Sequence, residues 1–162
     1  MSKRSCGDCT KCCEGWLSGE ALGHKFYPGK PCKFVTIGKG CNSYALRPKE
    51  PCVNYKCAWL SNNEIPDWLK PNLSNVIINY NTIDGIAYIK LVEAGQTLPS
   101  KVLSWILKYA IAQRLNIAWT VDEELYWIGS PEFNLLMQDL SLPKSKSVHS
   151  KPKNLLPVVE VE

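Results

Sequence analysis

All eight cysteines of this 162-residue chain fall in its first 57 residues, at positions 6, 9, 12, 13, 32, 41, 52 and 57, and the remaining residues contain none. That asymmetry divides the chain into a thiol-rich front and an ordinary globular back. The front is also punctuated by Gly7, Gly15, Gly19, Gly23, Pro28, Gly29, Pro31, Gly38, Gly40, Pro48 and Pro51, so no helical period survives for more than a turn or two. Its apolar material (Trp16, Leu17, Phe26, Tyr27, Phe34, Val35, Ile37, Tyr44, Tyr55 and Trp59) is a thin core. A segment of this kind needs cross-links or metal to hold a shape.

Thiolates bind borderline and soft metals, and a Cys-x-x-Cys turn places two sulfurs on one ion. Cys6-Gly7-Asp8-Cys9 has that spacing, Cys9-Thr10-Lys11-Cys12 repeats it, and Cys13 follows at once. With Cys32, Cys41, Cys52 and Cys57, the count is two sets of four. Two tetrahedral zinc sites, two cubane clusters, one of each, or one centre with four spare thiols all fit. Cys12 and Cys13, as neighbours, are expected to point apart and serve different roles. The pairing of the distant cysteines stays open.

Several familiar patterns fail. Cys6, Cys9 and Cys12 match the first three ligands of a bacterial ferredoxin run, but the fourth Cys with its following Pro is missing. Cys52-x4-Cys57 begins like the plant-type pattern, but Leu60 stands where the next Cys belongs. Trp16 occupies the third position of a radical-enzyme Cys-x3-Cys-x2-Cys triplet counted from Cys9, and a zinc ribbon would need a second, separated Cys-x-x-Cys. The competing account is a disulfide framework. The opening MSKRSCGDC carries no apolar leader, so the expectation is a cytoplasmic chain whose thiols stay reduced and bind metal.

Charge follows the same division: +6 over residues 1–60, −4 over 61–142 and +2 over 143–162. A basic front can signal nucleic acid. Yet four thiolates around a divalent zinc ion, or around an oxidised four-iron cluster, carry a net charge of about −2. Two such centres would neutralise most of the excess held by Lys3, Arg4, Lys11, Lys33, Lys39, Arg47 and Lys56. Metal is therefore favoured over nucleic acid as the reason for the charge. No apolar run approaches the ~20 residues needed to cross a bilayer.

Behind the front, Ile65–Pro71 reads as a turn or a single helical turn. Val76–Asn81 is β-branched, Asp84-Gly85 is a hairpin turn, and Ile86–Glu93 is its partner strand. Pro99-Ser100 opens a helix with Ser100 as N-cap, and its apolar stripe is Val102, Leu103, Ile106, Tyr109, Ala110 and Leu115. Ile117–Val121 and Tyr126–Ile128 suit two further strands. Ser130-Pro131-Glu132 starts a second helix, with Phe133, Leu136, Met137 and Leu140 inward. The expected fold class is α+β: an irregular Cys-rich metal-binding knot over 1–60, followed over 61–142 by a small antiparallel β-sheet with two helices packed on it. Residues 143–162 form a flexible Lys/Pro-rich tail, with Leu155–Val161 available to dock.

The run Cys6-Gly-Asp-Cys9-Thr-Lys-Cys12-Cys13 resembles the signature of the CxxCxxCC family, the YkgJ-type zinc- or iron-chelating proteins. The segment Leu46-Arg47-Pro48-x-x-Pro51-Cys52-x-x-Tyr55-x-Cys57-x-Trp59-Leu60 resembles that family's second cysteine block. The resemblance covers residues 6–60 and implies that Cys6, Cys9, Cys12, Cys13, Cys32, Cys41, Cys52 and Cys57 are all metal ligands, for one or two iron–sulfur or Zn²⁺ centres. Its relatives include the flagellin lysine N-methylases. This chain, however, has no nucleotide-type Gly loop, since Gly38-Lys39-Gly40 lacks the third Gly and the strand–helix context. The functional expectation is a metal-binding protein, iron–sulfur or zinc, whose cysteine knot is the functional module; with iron–sulfur its work is electron transfer or a redox step on a partner. The alternatives are a zinc-stabilised interaction module without catalysis and, by family analogy, an enzyme acting on protein lysines. Whether the chain catalyses a reaction, and with which residues, stays open.

The remaining candidates have plainer readings. His24 is a surface or supporting residue, because eight thiols already suffice, and His149 is inert in the tail. Arg47, Lys56 and Lys11 either hold an anion beside the centre or screen thiolates. Tyr44, Tyr55 and Trp59 pack the site, Trp105 is core or interface, and Asp122-Glu123-Glu124 is a solvated turn.

Overall fold

The computed structural model describes residues 4–142. The expectations for Lys3, His149, the 143–162 tail and the docking of Leu155–Val161 lie outside them. The class is α+β, as composition and pattern imply. In the front, short hairpins are joined by turns: β1 (Gly19–Ala21) pairs with β2 (His24–Phe26), and β3 (Val35–Thr36) with β4 (Gly40–Cys41), both antiparallel. A single irregular turn, Lys49–Val53, leads to α1 (Ala58–Ser61), a 3-10 turn Asp67–Leu69 and α2 (Pro71–Ser74).

The back is a four-stranded sheet in the order β5 (Val76–Ile83), β6 (Ile86–Glu93), β7 (Asn116–Val121) and β8 (Glu124–Ile128). The β5–β6 hairpin closes through Asp84 (φ 47°) and Gly85 (φ 78°). Positive φ at both central residues is the twist-matched turn geometry that Asp-Gly favours. β7 and β8 form a second hairpin through Asp122-Glu123, both also left-handed, so the acidic run is a turn.

The expected antiparallel sheet is in fact mixed, because β6 and β7 pair parallel, Tyr88↔Asn116 to Lys90↔Ala118. The reason is the connection. The chain leaves β6 at one end of the sheet and returns through α3 (Ser100–Ala112), and a crossover of that length brings the next strand in with the same direction. α3 begins one residue earlier than the N-cap reading has it: Pro99 is the cap position and Ser100 the first helical residue. α4 (Pro131–Ser141) starts as read, with the Ser130 hydroxyl accepting from the Phe133 amide at 3.3 Å.

One sheet face carries Val76, Ile78, Ile89, Leu91 and Ile117, buried beneath Val102, Ile106 and Ala110 of α3 and beside Ala58, Trp59, Ile65 and Leu69. Two residues at the end of the front thus belong to the sheet's main core. Trp105 packs against this core, stacked on Tyr109 at 5.3 Å and edge-on to Trp68 at 6.4 Å. The opposite face is divided. α4 covers one half, seating Phe133 and Met137 on Ala118 with Ile83, Ile86, Tyr88 and Trp127 around them. Leu140, expected inward, is 47% exposed; only Phe133 and Met137 of α4 are buried. The cysteine-rich front covers the other half, over Ile77 and Asn79. No helix among the described residues is long and apolar enough to cross a membrane.

Candidate metal centre

Arg4 fixes the chain two residues before the first thiol. Its guanidinium donates to the carbonyls of Trp59 (2.7 Å), Asn62 (2.9 Å) and Ile65 (2.7 Å), pairs with Asp67 at 3.0 Å, and lies over the Trp59 ring at 4.9 Å. This lays the start of the chain along the segment that follows Cys57. Charged-donor hydrogen bonds to three carbonyls outweigh the ion pair, whose carboxylate is 84% exposed and contributes little. Arg4→Ala is expected to destabilise the protein by about 2 kcal/mol and to raise proteolysis at residues 4–10. Denaturant melts and mass-mapped limited digestion measure both.

Cys6 to Cys9 is the tight turn that its spacing implies: Gly7 sits at φ 55°, and the Cys9 amide donates to the Cys6 carbonyl at 2.9 Å. Lys11–Cys13 is one 3-10 turn. Thr10, buried, holds this turn in place. Its hydroxyl donates to Glu14 at 2.7 Å and accepts from the Gly38 amide at 3.0 Å, tying the first cysteine run to the β3–β4 hairpin. The Cys32 amide donates to the Cys13 carbonyl at 2.9 Å, and Cys41 stands opposite Val35 in that hairpin. Cys52 sits in the Lys49–Val53 turn. The Cys57 carbonyl accepts from the Leu60 and Ser61 amides at 3.0 and 3.1 Å, so that thiol is carried at the start of α1.

The eight sulfur-bearing residues, scattered over 52 positions of sequence, line one cavity of about 1310 Å³. The sheet forms its floor through Ile77, Asn79, Asn81, Lys90 and Val92, and Lys39, Tyr44 and Arg47 stand at its side. Tyr55 joins the two layers, its hydroxyl donating to Asn79 Oδ1. Cys6 is exposed and the other seven are half-buried; all eight are free, and no disulfide links them. Among the described residues, no three Cys, His, Asp or Glu side chains converge closely enough to hold an ion without rearrangement.

Cys12 and Cys13, expected to point apart, have their sulfurs 3.7 Å from each other. A one-turn 3-10 helix sets adjacent side chains on converging sides of the same cavity, which overrides the alternation an extended chain would give. Their hydrogen bond, in which either sulfur can be the donor, lowers Cys13 to about 7, helped by Arg47, and with burial raises Cys12. Burial is also the first cause that raises Cys6, Cys52 and Cys57, and the charges of neighbouring thiols add to it. Tyr55 is raised by burial and then by Cys57, Cys12 and Cys6. The cavity therefore resists accumulating bare thiolates and favours them only when cations are near.

His24 is exposed, edge-on to Phe34 at 5.4 Å, in a separate shallow depression with Lys25, Lys30 and Lys33. Arg47 stacks over Tyr44 at 3.4 Å from its ring centroid and acts on the thiols, whereas Lys56 is exposed. Lys11 pairs with Glu14 at 3.1 Å. Trp59 is core rather than site packing. Gly38-Lys39-Gly40 is the tip of the β3–β4 hairpin, not a phosphate loop. Sequence reasoning missed Thr10 and Asn79, and read Arg4 only as part of the basic excess. Asn79 left a signal, a polar residue within the apolar Val76–Asn81 run; Arg4 and Thr10 left none. Comparison of the chain with protein-family models, with characterised proteins and with solved structures found no match.

Proposed function

We propose that this protein is a metal-binding protein whose eight N-terminal thiols ligate zinc or iron–sulfur centres. The observation that carries the reading is the gathering of all eight free cysteines around one cavity walled by the sheet. The donor set fits such a group: soft sulfur ligands in multiples of four, partly dried by the sheet floor, with Arg47 and Lys39 offsetting their negative charge. The turns that carry Cys6, Cys9, Cys12 and Cys13 are already formed. The same reading is what resemblance to the CxxCxxCC family implies, and it places the chain in a reducing compartment.

When bound, an iron–sulfur cluster supplies one-electron chemistry and a zinc ion supplies a structural cross-link. The chain's own contribution is to hold the sulfurs as anions, to exclude water with Ile77 and Val92, and to fix the knot to the sheet through Tyr55 and Asn79. A second reading, a zinc-stabilised interaction module, draws on the exposed apolar residues of the front: Ile37, Tyr44, Leu46 and Val53, between 46% and 71% exposed. Lysine methylation rests on family analogy alone.

Anaerobic purification followed by metal and acid-labile sulfide analysis decides between them. Brown protein containing sulfide is the redox protein; colourless protein with stoichiometric zinc is the interaction module. A metal-free chain with loose or cross-oxidised thiols overturns both.

A further inference from the structure

We propose that the eight thiols form two separate four-sulfur sites that meet at the Cys12–Cys13 step: Cys6, Cys9, Cys12 and Cys57 ligate one ion, and Cys13, Cys32, Cys41 and Cys52 ligate the other. The division deepens the metal-binding reading and rests on it.

Backbone geometry carries the assignment. The Arg4 clamp, two residues before Cys6, holds the Trp59 carbonyl, two residues after Cys57, so the chain stretches bearing these two thiols run side by side. Cys9 is fixed to Cys6 by the 2.9 Å turn, and Cys12 follows at the same Cys-x-x-Cys spacing. On the other side of the step, the Cys32 amide bonds to the Cys13 carbonyl at 2.9 Å. The Val35 amide bonds to the Cys32 carbonyl at 3.2 Å, and Val35 is the register partner of Cys41. These contacts chain Cys13, Cys32 and Cys41 together without passing through the first set. The turn bearing Cys52 packs on β1, the strand between Cys13 and Cys32 in the chain; a Cβ added at Gly19 would lie 3.1 Å from Pro51 Cγ.

Two ions so placed would be close neighbours joined by a single peptide bond of the chain. Each would tie different segments: the first pins the N-terminus to α1, the second pins the β3–β4 hairpin to the Lys49–Val53 turn.

The test uses the full chain, stripped of metal under reducing conditions and reloaded with zinc alone. Native mass spectrometry is expected to find two zinc ions. Cys6→Ser/Cys57→Ser and Cys32→Ser/Cys41→Ser are each expected to retain one. To avoid dependence on the folding of the variants, the wild-type chain is loaded with substoichiometric zinc, alkylated, and mapped by peptide mass. Protection is expected to rise and fall together within each set of four. Binding of a single zinc ion, or protection shared between Cys6 and Cys32, overturns the division while leaving metal binding intact. No zinc bound at all overturns the metal-binding reading itself.

Discussion

Removal of metal by a strong chelator is expected to open residues 4–57 to protease while the sheet and its two long helices stay protected. The front buries little of its own: among the described residues, Ala21 and Phe26 are the only buried apolar ones before α1, whereas the sheet core buries more than a dozen. A structural zinc ion contributes on the order of 10–16 kcal/mol in small peptides, against a typical domain stability of about 5–15 kcal/mol. Without it, the front is left with the Arg4 clamp, the Thr10 bridge and the Tyr55–Asn79 link, each contributing about 1–3 kcal/mol at most. Together those links contribute less than a single zinc ion does. Limited proteolysis with mass mapping, alongside circular dichroism, reads the outcome. A front that stays protease-resistant after complete metal removal would refute the expectation and show that packing alone suffices.

Phe133→Ala is expected to cost about 3–5 kcal/mol and to act on the other half of the molecule. Phe133 is fully buried, with Tyr88 tilted against it at 5.4 Å between ring centroids, and it is the main side chain by which α4 holds its half of the sheet face. The chain around it is tight: a Cβ added at Gly129 would lie 2.6 Å from the Phe133 ring, so the pocket is built to the ring's shape and cannot readily collapse. At about 2–4 °C per kcal/mol for a chain of this size, the melting temperature should fall by roughly 6–20 °C. Calorimetry measures the fall. Metal content at low temperature should not change, because no cysteine touches this cluster. A loss below about 1 kcal/mol would mean that α4 contributes little to the fold.

The contrast between these two outcomes reflects what was legible in the sequence. The β5–β6 hairpin announced itself through β-branched residues on both sides of Asp84-Gly85, and α4 through Ser130-Pro131-Glu132, because those signals are local. The direction of β7 was not legible: pairing depends on where α3 returns the chain, which no short window contains. The exposure of Leu140 was not legible either, since its spacing from Phe133 and Met137 puts it on the same helix face. Within the front, the tight Cys6–Cys9 turn could be read from spacing. The convergence of Cys12 and Cys13 could not, because it follows from a 3-10 turn fixed by Thr10 against Gly38, 28 residues away. The gathering of Cys32, Cys41 and Cys52 with the first run is a product of tertiary contacts between loops.

The parallel seam at the centre of the sheet sets an order of assembly. Each hairpin, β5–β6 and β7–β8, closes a short loop and can form by itself at little entropic cost. Zipping β6 to β7 spans the whole α3 excursion and is the non-local step, the kind that governs how fast a small domain folds. The platform beneath the thiols draws on both hairpins, with Asn79 and Lys90 from one and Thr120 from the other. A nascent chain, whose cysteines emerge first, must therefore wait for its own later half before those cysteines have a finished surface to settle on.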